Sequence, residues 1–367
     1  MKCQLLILHF ALITDFCSSV YIRAKSLEVY KQIVLIAPKR LQPQELPLLK
    51  PAPGQVLIKA LYSGICSTDL AIYQGHYATT LPLVLGHEFC GEIIEVGPEV
   101  APEYLGKLVT SEINETCISR QDPAPCPMCL KGWSNHCQQR RVMGIKGWPG
   151  AFSQLLLSPV RNVHLIPPNI PPPEAVFIEP LASAIQTFEL SPITPGETVT
   201  VLGIGRLGSL VGQVAALMGA KVIAIGRSDK KLALARQLGV WQAINARQGD
   251  LAGKVTELTA GKGSDMVVEA TGSQEGFSLA LRLVRPGGVI ALKTTSGLPA
   301  KIDATSLVVN EVRVQGSRCG PFPKAISLLE QGKIKVEPLI SGIYPLAELE
   351  RAFQVASGAI KVLLRHY

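Results

Sequence analysis

Thr198-Val199-Thr200-Val201-Leu202-Gly203-Ile204-Gly205-Arg206-Leu207-Gly208 is a run of β-branched and apolar residues that stops at a glycine-rich turn. The apolar run from Thr198 to Leu202 predicts a buried strand, and the pattern over 207–218 predicts a helix. Between them the glycines stand as G-x-G-x-x-G. Gly203 permits the tight turn, Gly205 lets a pyrophosphate approach the backbone, and Gly208 lets the helix lie close to the strand. The helix N-terminus then faces the phosphates. Alone the motif is weak, so its surroundings decide.

Those surroundings repeat the pattern. A strand is predicted over 221–225, a helix over 229–238, and strands over 266–269 and 289–293 with a helix over 276–284 between them. Alternation of this kind calls for a parallel, doubly wound sheet of the Rossmann type over residues 182–317, in an α/β chain. After the second strand a site for NAD normally places a carboxylate. Here Gly226-Arg227-Ser228 follows Ile225 instead. Gly226 removes the carboxylate that would repel a 2′-phosphate, and Arg227 and Ser228 offer donors to one. This favours NADP over NAD, the alternative being that Asp229 reaches the ribose.

Upstream, residues 26–181 read as β-rich, with apolar runs at 55–60 and 90–96 between proline and glycine punctuation. The proline-rich stretch 167–173 predicts a hinge-like bend before the character of the chain changes. Residues 318–367, with a helical piece over 346–355, are expected to pack back on this first domain. Residues 1–25 form an extension. A Lys and an apolar run over 5–13 outline a secretory signal, interrupted by His9 and Asp15. That run is too short to span a bilayer.

Two sets of residues carry metal-ligand chemistry. Cys66 and His87, about twenty residues apart, offer a thiolate and an imidazole, with Thr68, Asp69 and Glu88 beside them. Glu179-Pro180 places a further carboxylate at the domain junction, where burial is costly unless the group meets a metal or a cation. The second set is Cys117-x8-Cys126-x2-Cys129-x7-Cys137, within a lobe at 112–140. Four thiolates with a C-x2-C knuckle are the composition of a closed, structural zinc site, with His136 an alternative ligand. Cys90 and Cys319 stand alone. This chemistry belongs in a reducing, cytoplasmic compartment; a working signal peptide would place the chain in the secretory pathway.

Among 367 residues, 47% are hydrophobic and 17% charged, which describes a packed globular protein of two domains. The net charge of +8 comes from basic residues that are scattered, and only 5% of residues are aromatic. That argues against a nucleic-acid partner and suits a phosphate-bearing cofactor.

Together, Gly64-x-Cys66-x-Thr68-Asp69, Gly86-His87-Glu88, the four-cysteine lobe, Glu179-Pro180, Gly203-x-Gly205-x-x-Gly208, Val268-Glu269-Ala270-Thr271-Gly272 and Arg285-Pro286-Gly287-Gly288 resemble the zinc-dependent medium-chain dehydrogenases/reductases, in the same order. The likeness covers residues 26–367 and is nearest the alcohol, sorbitol and threonine dehydrogenase-like branches. It implies a GroES-like catalytic domain beside the Rossmann domain, one catalytic and one structural zinc, and a homodimer or homotetramer. It implies Cys66 and His87 as catalytic zinc ligands, with Glu88 and Glu179 in or beside the coordination sphere. Asp69 would orient the imidazole, and Thr68 would pass on the substrate proton. Arg206 and Leu207 fall within the cofactor turn. The expected reaction interconverts a small-molecule alcohol or polyol and a carbonyl compound by hydride transfer. A zinc-free quinone or enoyl reductase and a non-catalytic cofactor-binding homologue are the alternatives.

Two departures stand out. Where many alcohol dehydrogenases have a histidine three residues after the relay hydroxyl, this chain has Ala71. The first gap of the lobe is C-x8-C in place of the usual C-x2-C, so an insertion of six residues separates Cys117 from the other three.

Overall fold

The computed structural model describes residues 29–295 and 299–367. The signal-like run lies outside the described residues. A hairpin of β1 (Val29–Ala37) and β2 (Arg40–Pro47) leads into β3 (Gln55–Gly64), and the two-residue β4 (Leu83–Val84) pairs with β1. β3 and β5 (Glu88–Val96) pair antiparallel, with Ser63 opposite Phe89. β6 (Leu108–Ser111) and β11 (Val163–Leu165) continue the sheet beyond β5. Short strands β7 (Asn114–Glu115), β8 (Arg141–Met143) and β9 (Gly147–Trp148) flank the cysteine-rich segment as a separate small sheet. β10 (Leu155–Pro159) takes the first half of the other edge of β3.

The second half of that edge is taken from the far end of the chain. β19 (Lys361–Arg365) pairs antiparallel with β3, Leu363 opposite Gly64, and β18 (Ile340–Pro345) lies beside it in parallel. Strand β3 is almost wholly apolar from Val56 to Leu61, so it needs cover on both faces and neighbours on both edges. The expectation of a strand over 55–60 therefore falls short. The strand runs on to Gly64 and delivers the chain directly to Cys66.

The second sheet is parallel throughout, in the order β14 (Gln242–Asn245), β13 (Lys221–Gly226), β12 (Thr198–Leu202), β15 (Ser264–Glu269), β16 (Val284–Leu292), β17 (Arg313–Gly316). The order reverses at β12, whose last four residues are buried. A crevice therefore opens at the carboxyl ends of β12 and β15, the usual place for a ligand in a doubly wound sheet. Helices Gly208–Leu217, Asp229–Gln237 and Gly276–Leu283 lie within a residue or two of the predicted ones.

The proline-rich bend is packed, not a free hinge. Pro171 caps the short helix Pro172–Ala175, where a proline at the start loses no hydrogen bond. Helix Ile178–Leu190 follows with nine buried residues. One apolar cluster runs from Cys90 in the first sheet through Phe177, Leu181 and Phe188 to Val199, Leu210 and Leu363. The two sheets thus share a core across this helix. No helix among the described residues is long and apolar enough to cross a membrane.

The end of β19 carries a pH-sensitive element. His366 is buried, with Nε2 at 2.8 Å from Ser63 Oγ. Burial pushes its pKa from 6.5 down to about 3. The native state therefore holds a neutral ring where the unfolded chain takes up a proton. Stability from this group is complete above pH 6.5 and falls as the pH drops from there towards 3, by about 1.4 kcal/mol per pH unit. His366→Gln should flatten that slope in urea titrations run at about pH 7.5, 6 and 5. A constant wild-type-to-variant difference across the series would refute the assignment.

Candidate active site

Cys66 is the N-cap of helix Ser67–Tyr73, and Asp69 closes the first turn by accepting from the Cys66 amide at 2.8 Å. The other oxygen of Asp69 accepts from the Gly86 amide at 3.1 Å. One buried carboxylate thus ties the Cys66 motif to the His87 motif, and a carboxylate buried here is satisfied by two N–H donors. It also stands 3.4 Å from His87 Nδ1, although that nitrogen makes no aligned hydrogen bond among the described residues. Burial alone would lower the His87 pKa. The charges of Asp69 and Cys66 outweigh it and hold the ring well above 6.5.

The ligand atoms of Cys66, His87 and Glu88 lie within 4.8 Å of one another. A thiolate, an imidazole and a carboxylate converging at one point favour positive charge there, and as a donor set they fit zinc. Glu88 is also paired with Lys361 through its Oε2, and both side chains are sealed from solvent. Lys361 comes from β19 and lies 5.7 Å from the centre of the Phe177 ring. Glu179 stands outside the three-donor cluster. It is buried at the start of helix Ile178–Leu190, and its pKa is pushed up to about 7. Burial is the main cause, opposed by His87, Lys361 and Lys293 and reinforced by Glu88. Among the described residues Thr68 hydrogen-bonds only with Cys66, at 3.8 Å from its sulfur.

The four cysteines of the lobe also converge. Cys117, Cys126, Cys129 and Cys137 are buried with their sulfurs within 4.8 Å of one another, and none is in a disulfide. The extra residues between Cys117 and Cys126 loop out without displacing Cys117. His136 lies exposed, outside the set. Backbone N–H donors of Cys129 and Gln138 pull the Cys126 thiol down to about 6, whereas burial pushes Cys129 up to about 12 and raises Cys117. The lobe fits a second, fully protein-ligated zinc.

On the facing sheet, Gly203 has φ +92° and lies so close to β15 that a Cβ would stand 2.6 Å from the Ala270 carbonyl oxygen. At Gly208 a Cβ would strike the Gly203 carbonyl, while at Gly205 it would meet open space. The turn is therefore closed where helix meets strand and open where a phosphate would lie. Leu207 packs on the core beneath it. Arg206 reaches across the crevice, donating to Ser67 Oγ at 3.3 Å and to the Ala356 carbonyl. Arg227 is exposed. Ser228 caps helix Asp229–Gln237, and the Asp229 carboxylate accepts from Asn245 at 2.7 Å.

Two residues of this region escape the sequence analysis. Lys361 and Lys293 are both buried. Each interrupts or ends an apolar strand, in Ile360-Lys361-Val362-Leu363-Leu364 and Val289-Ile290-Ala291-Leu292-Lys293. A lysine inside such a run is the signal that could have found them, because the strand leaves its side chain nowhere to reach water.

Comparison with known proteins agrees with this geometry. Residues 52–168 match the alcohol dehydrogenase GroES-like domain, and residues 207–331 match the zinc-binding dehydrogenase domain. The chain is 33% identical over 329 residues to a sorbitol dehydrogenase of Halalkalibacterium halodurans, covering 88% of this chain and 94% of that one. It is 32% identical over 320 residues to the D-arabitol-phosphate dehydrogenase of Enterococcus avium, covering 84% and 89%. A zinc-binding dehydrogenase of Sinorhizobium meliloti 1021, solved with NADP bound, superposes with a TM-score of 0.84 at 31% identity over 93% of this chain and 100% of that one.

Lys361→Met should leave Glu88 charged and unpaired in the core, at a cost of about 3–5 kcal/mol in urea unfolding. Adding Glu88→Gln should recover most of it. A single-variant loss below about 1 kcal/mol would show that the pair is not what compensates Glu88.

Proposed function

The chain belongs to the zinc-binding alcohol dehydrogenase family, NAD(P)-dependent oxidoreductases acting on CH–OH groups, and from that premise we propose its working parts. Cys66 and His87 hold the catalytic zinc, with Glu88 and Glu179 as carboxylates in or beside its shell. Cys117, Cys126, Cys129 and Cys137 hold the structural one. The nicotinamide cofactor is NADP in preference to NAD. The observation that carries this reading is the convergence of Cys66, His87 and Glu88 within 4.8 Å, facing a glycine turn whose Arg206 bonds Ser67 beside them.

When bound, zinc would supply Lewis-acid polarisation of the substrate oxygen and the nicotinamide would supply the hydride acceptor. Asp69, tied to the Cys66 and Gly86 amides, fixes the His87 ring. Thr68, bonded to Cys66, would relay the proton of the substrate hydroxyl, accepting it as it releases its own towards solvent. Lys361 holds one oxygen of Glu88 and so limits how far that carboxylate can turn. The Gly203–Gly208 turn presents N–H groups to the pyrophosphate. Arg227 would donate to the 2′-phosphate, while the Asp229 carboxylate accepts from Asn245.

A second copy of the chain covers the edge strand β17, all of whose residues are exposed beside Val308 and Val309. Unpaired strand edges of this kind need cover. Four cysteine thiols held for a metal suit the reducing cytoplasm.

Initial rates on an alcohol panel should favour NADP over NAD by about tenfold or more, and Arg227→Ala should erase most of that preference, as expected for a charged hydrogen bond of about 1.5–3 kcal/mol. Equal use of the two cofactors would refute the Arg227 assignment. Cys66→Ser should abolish turnover while NADP still quenches the protein fluorescence. Full activity in that variant would refute the catalytic assignment.

A further inference from the structure

Near the helix that bears Glu179 stand two arginines without a carboxylate partner among the described residues. Arg140, which follows the last cysteine of the lobe, and Arg318, which follows β17, both donate to the carbonyl of Asn135, each at 2.5 Å. Two guanidinium groups thus share one neutral acceptor. Among the described residues neither forms a salt bridge, and Arg140 Nε is buried without a partner. Burial and then the charge of Arg318 lower the Arg140 pKa. Like charges held together and partly desolvated are unfavourable unless an anion joins them.

The pair adjoins the reaction site through Cys319. Its sulfur accepts from Arg318 at 3.7 Å and from Asn114 Nδ2 at 3.3 Å. Cys319 sits at φ +47°, a conformation that costs energy for a residue with a side chain. It is held there from both sides. Gly320 lies against the helix that bears Glu179, so close that a Cβ would strike the Ala182 carbonyl. On the other side Lys293 donates to the carbonyl and hydroxyl of Ser317 at 3.0 Å each, and to Ser183 on the same helix at 2.9 and 3.2 Å. Asn114 Oδ1, in the same group, is buried without a partner and is an acceptor for a hydroxyl.

We propose that Arg140 and Arg318 form an anion-recognising end of the substrate pocket, so that the natural substrate is a hydroxylated compound carrying a carboxylate or a phosphate. The inference rests on the alcohol-oxidising reading of the Cys66–His87 site. Lys293 and Cys319 are positioning residues that hold Arg318 in place.

The test compares a hexitol, its 1-phosphate and the aldonate of the same length as substrates of the zinc-loaded full chain with NADP. One anionic substrate should exceed the neutral hexitol in kcat/KM by about tenfold or more, as one good charged contact provides. Preference for the phosphate assigns a sugar phosphate, and preference for the aldonate a sugar acid. Arg318→Gln, at an exposed position and so expected to fold, should raise KM for that substrate by about tenfold with a smaller change in kcat. Arg318→Lys should restore part of the loss. Equal use of the neutral hexitol, or an unchanged KM in Arg318→Gln, overturns the proposal. If the arginines instead meet an acidic residue of a second copy, Arg318→Gln shifts sedimentation towards the monomer with KM unchanged, which also overturns it. Should no alcohol be oxidised, the functional reading fails but the anion site is still tested. Calorimetric binding of inorganic phosphate that weakens in Arg318→Gln supports the site, and binding that is absent or unaltered overturns it.

Discussion

Lys361 and Glu88 meet where neither can reach water, and the arrangement of the chain follows from keeping them together. A buried carboxylate on β5 is tolerable only beside a positive charge, and the lysine that supplies it lies on the last strand. β19 must therefore return across the whole chain to pair with β3, with Leu363 opposite Gly64. That return sets β19 beside the end of β3, with β5 and Glu88 on the other edge of the same strand. Asp69 completes the frame by bonding to amides on both sides, so the donor atoms are ordered before any metal binds.

Much of this is legible in the sequence because the physics is local. A fully buried parallel strand has to be an apolar run, and Thr198 to Leu202 stops at a glycine that only a φ of +92° can use. The cysteines of the lobe are likewise evident, since thiols so close in sequence have few other reasons to cluster. Cys117 joins them across a longer gap because the intervening loop turns outward and leaves the sulfur in place. What the sequence conceals depends on distant pairing. Nothing near Lys361 announces Glu88, which lies 273 positions away. Cys319 reads as solitary, yet it bonds Asn114 across 205 positions. Glu179 is expected at the junction and is buried at the start of helix Ile178–Leu190, outside the three-donor cluster, a seating that periodicity does not reveal.

The two groups of cations at the cleft differ in kind. Lys361 has a carboxylate and Lys293 has four oxygen acceptors, so both are internally satisfied. Arg140 and Arg318 share one carbonyl, and Arg206 reaches Ser67 and the Ala356 carbonyl without a carboxylate partner among the described residues. Asn135, whose carbonyl gathers the two guanidiniums, lies between Cys129 and Cys137, so the lobe's fold positions both arginines.

The account depends on two separate metal centres, one at Cys66 and His87 and one in the lobe. Zinc content of the purified chain, measured by mass spectrometry of the digested protein, tests this most directly. Two ions per chain are expected from the two donor clusters, falling to one in His87→Ala with the lobe still loaded. One ion or none in the wild-type chain, or an unchanged content in His87→Ala, would contradict it.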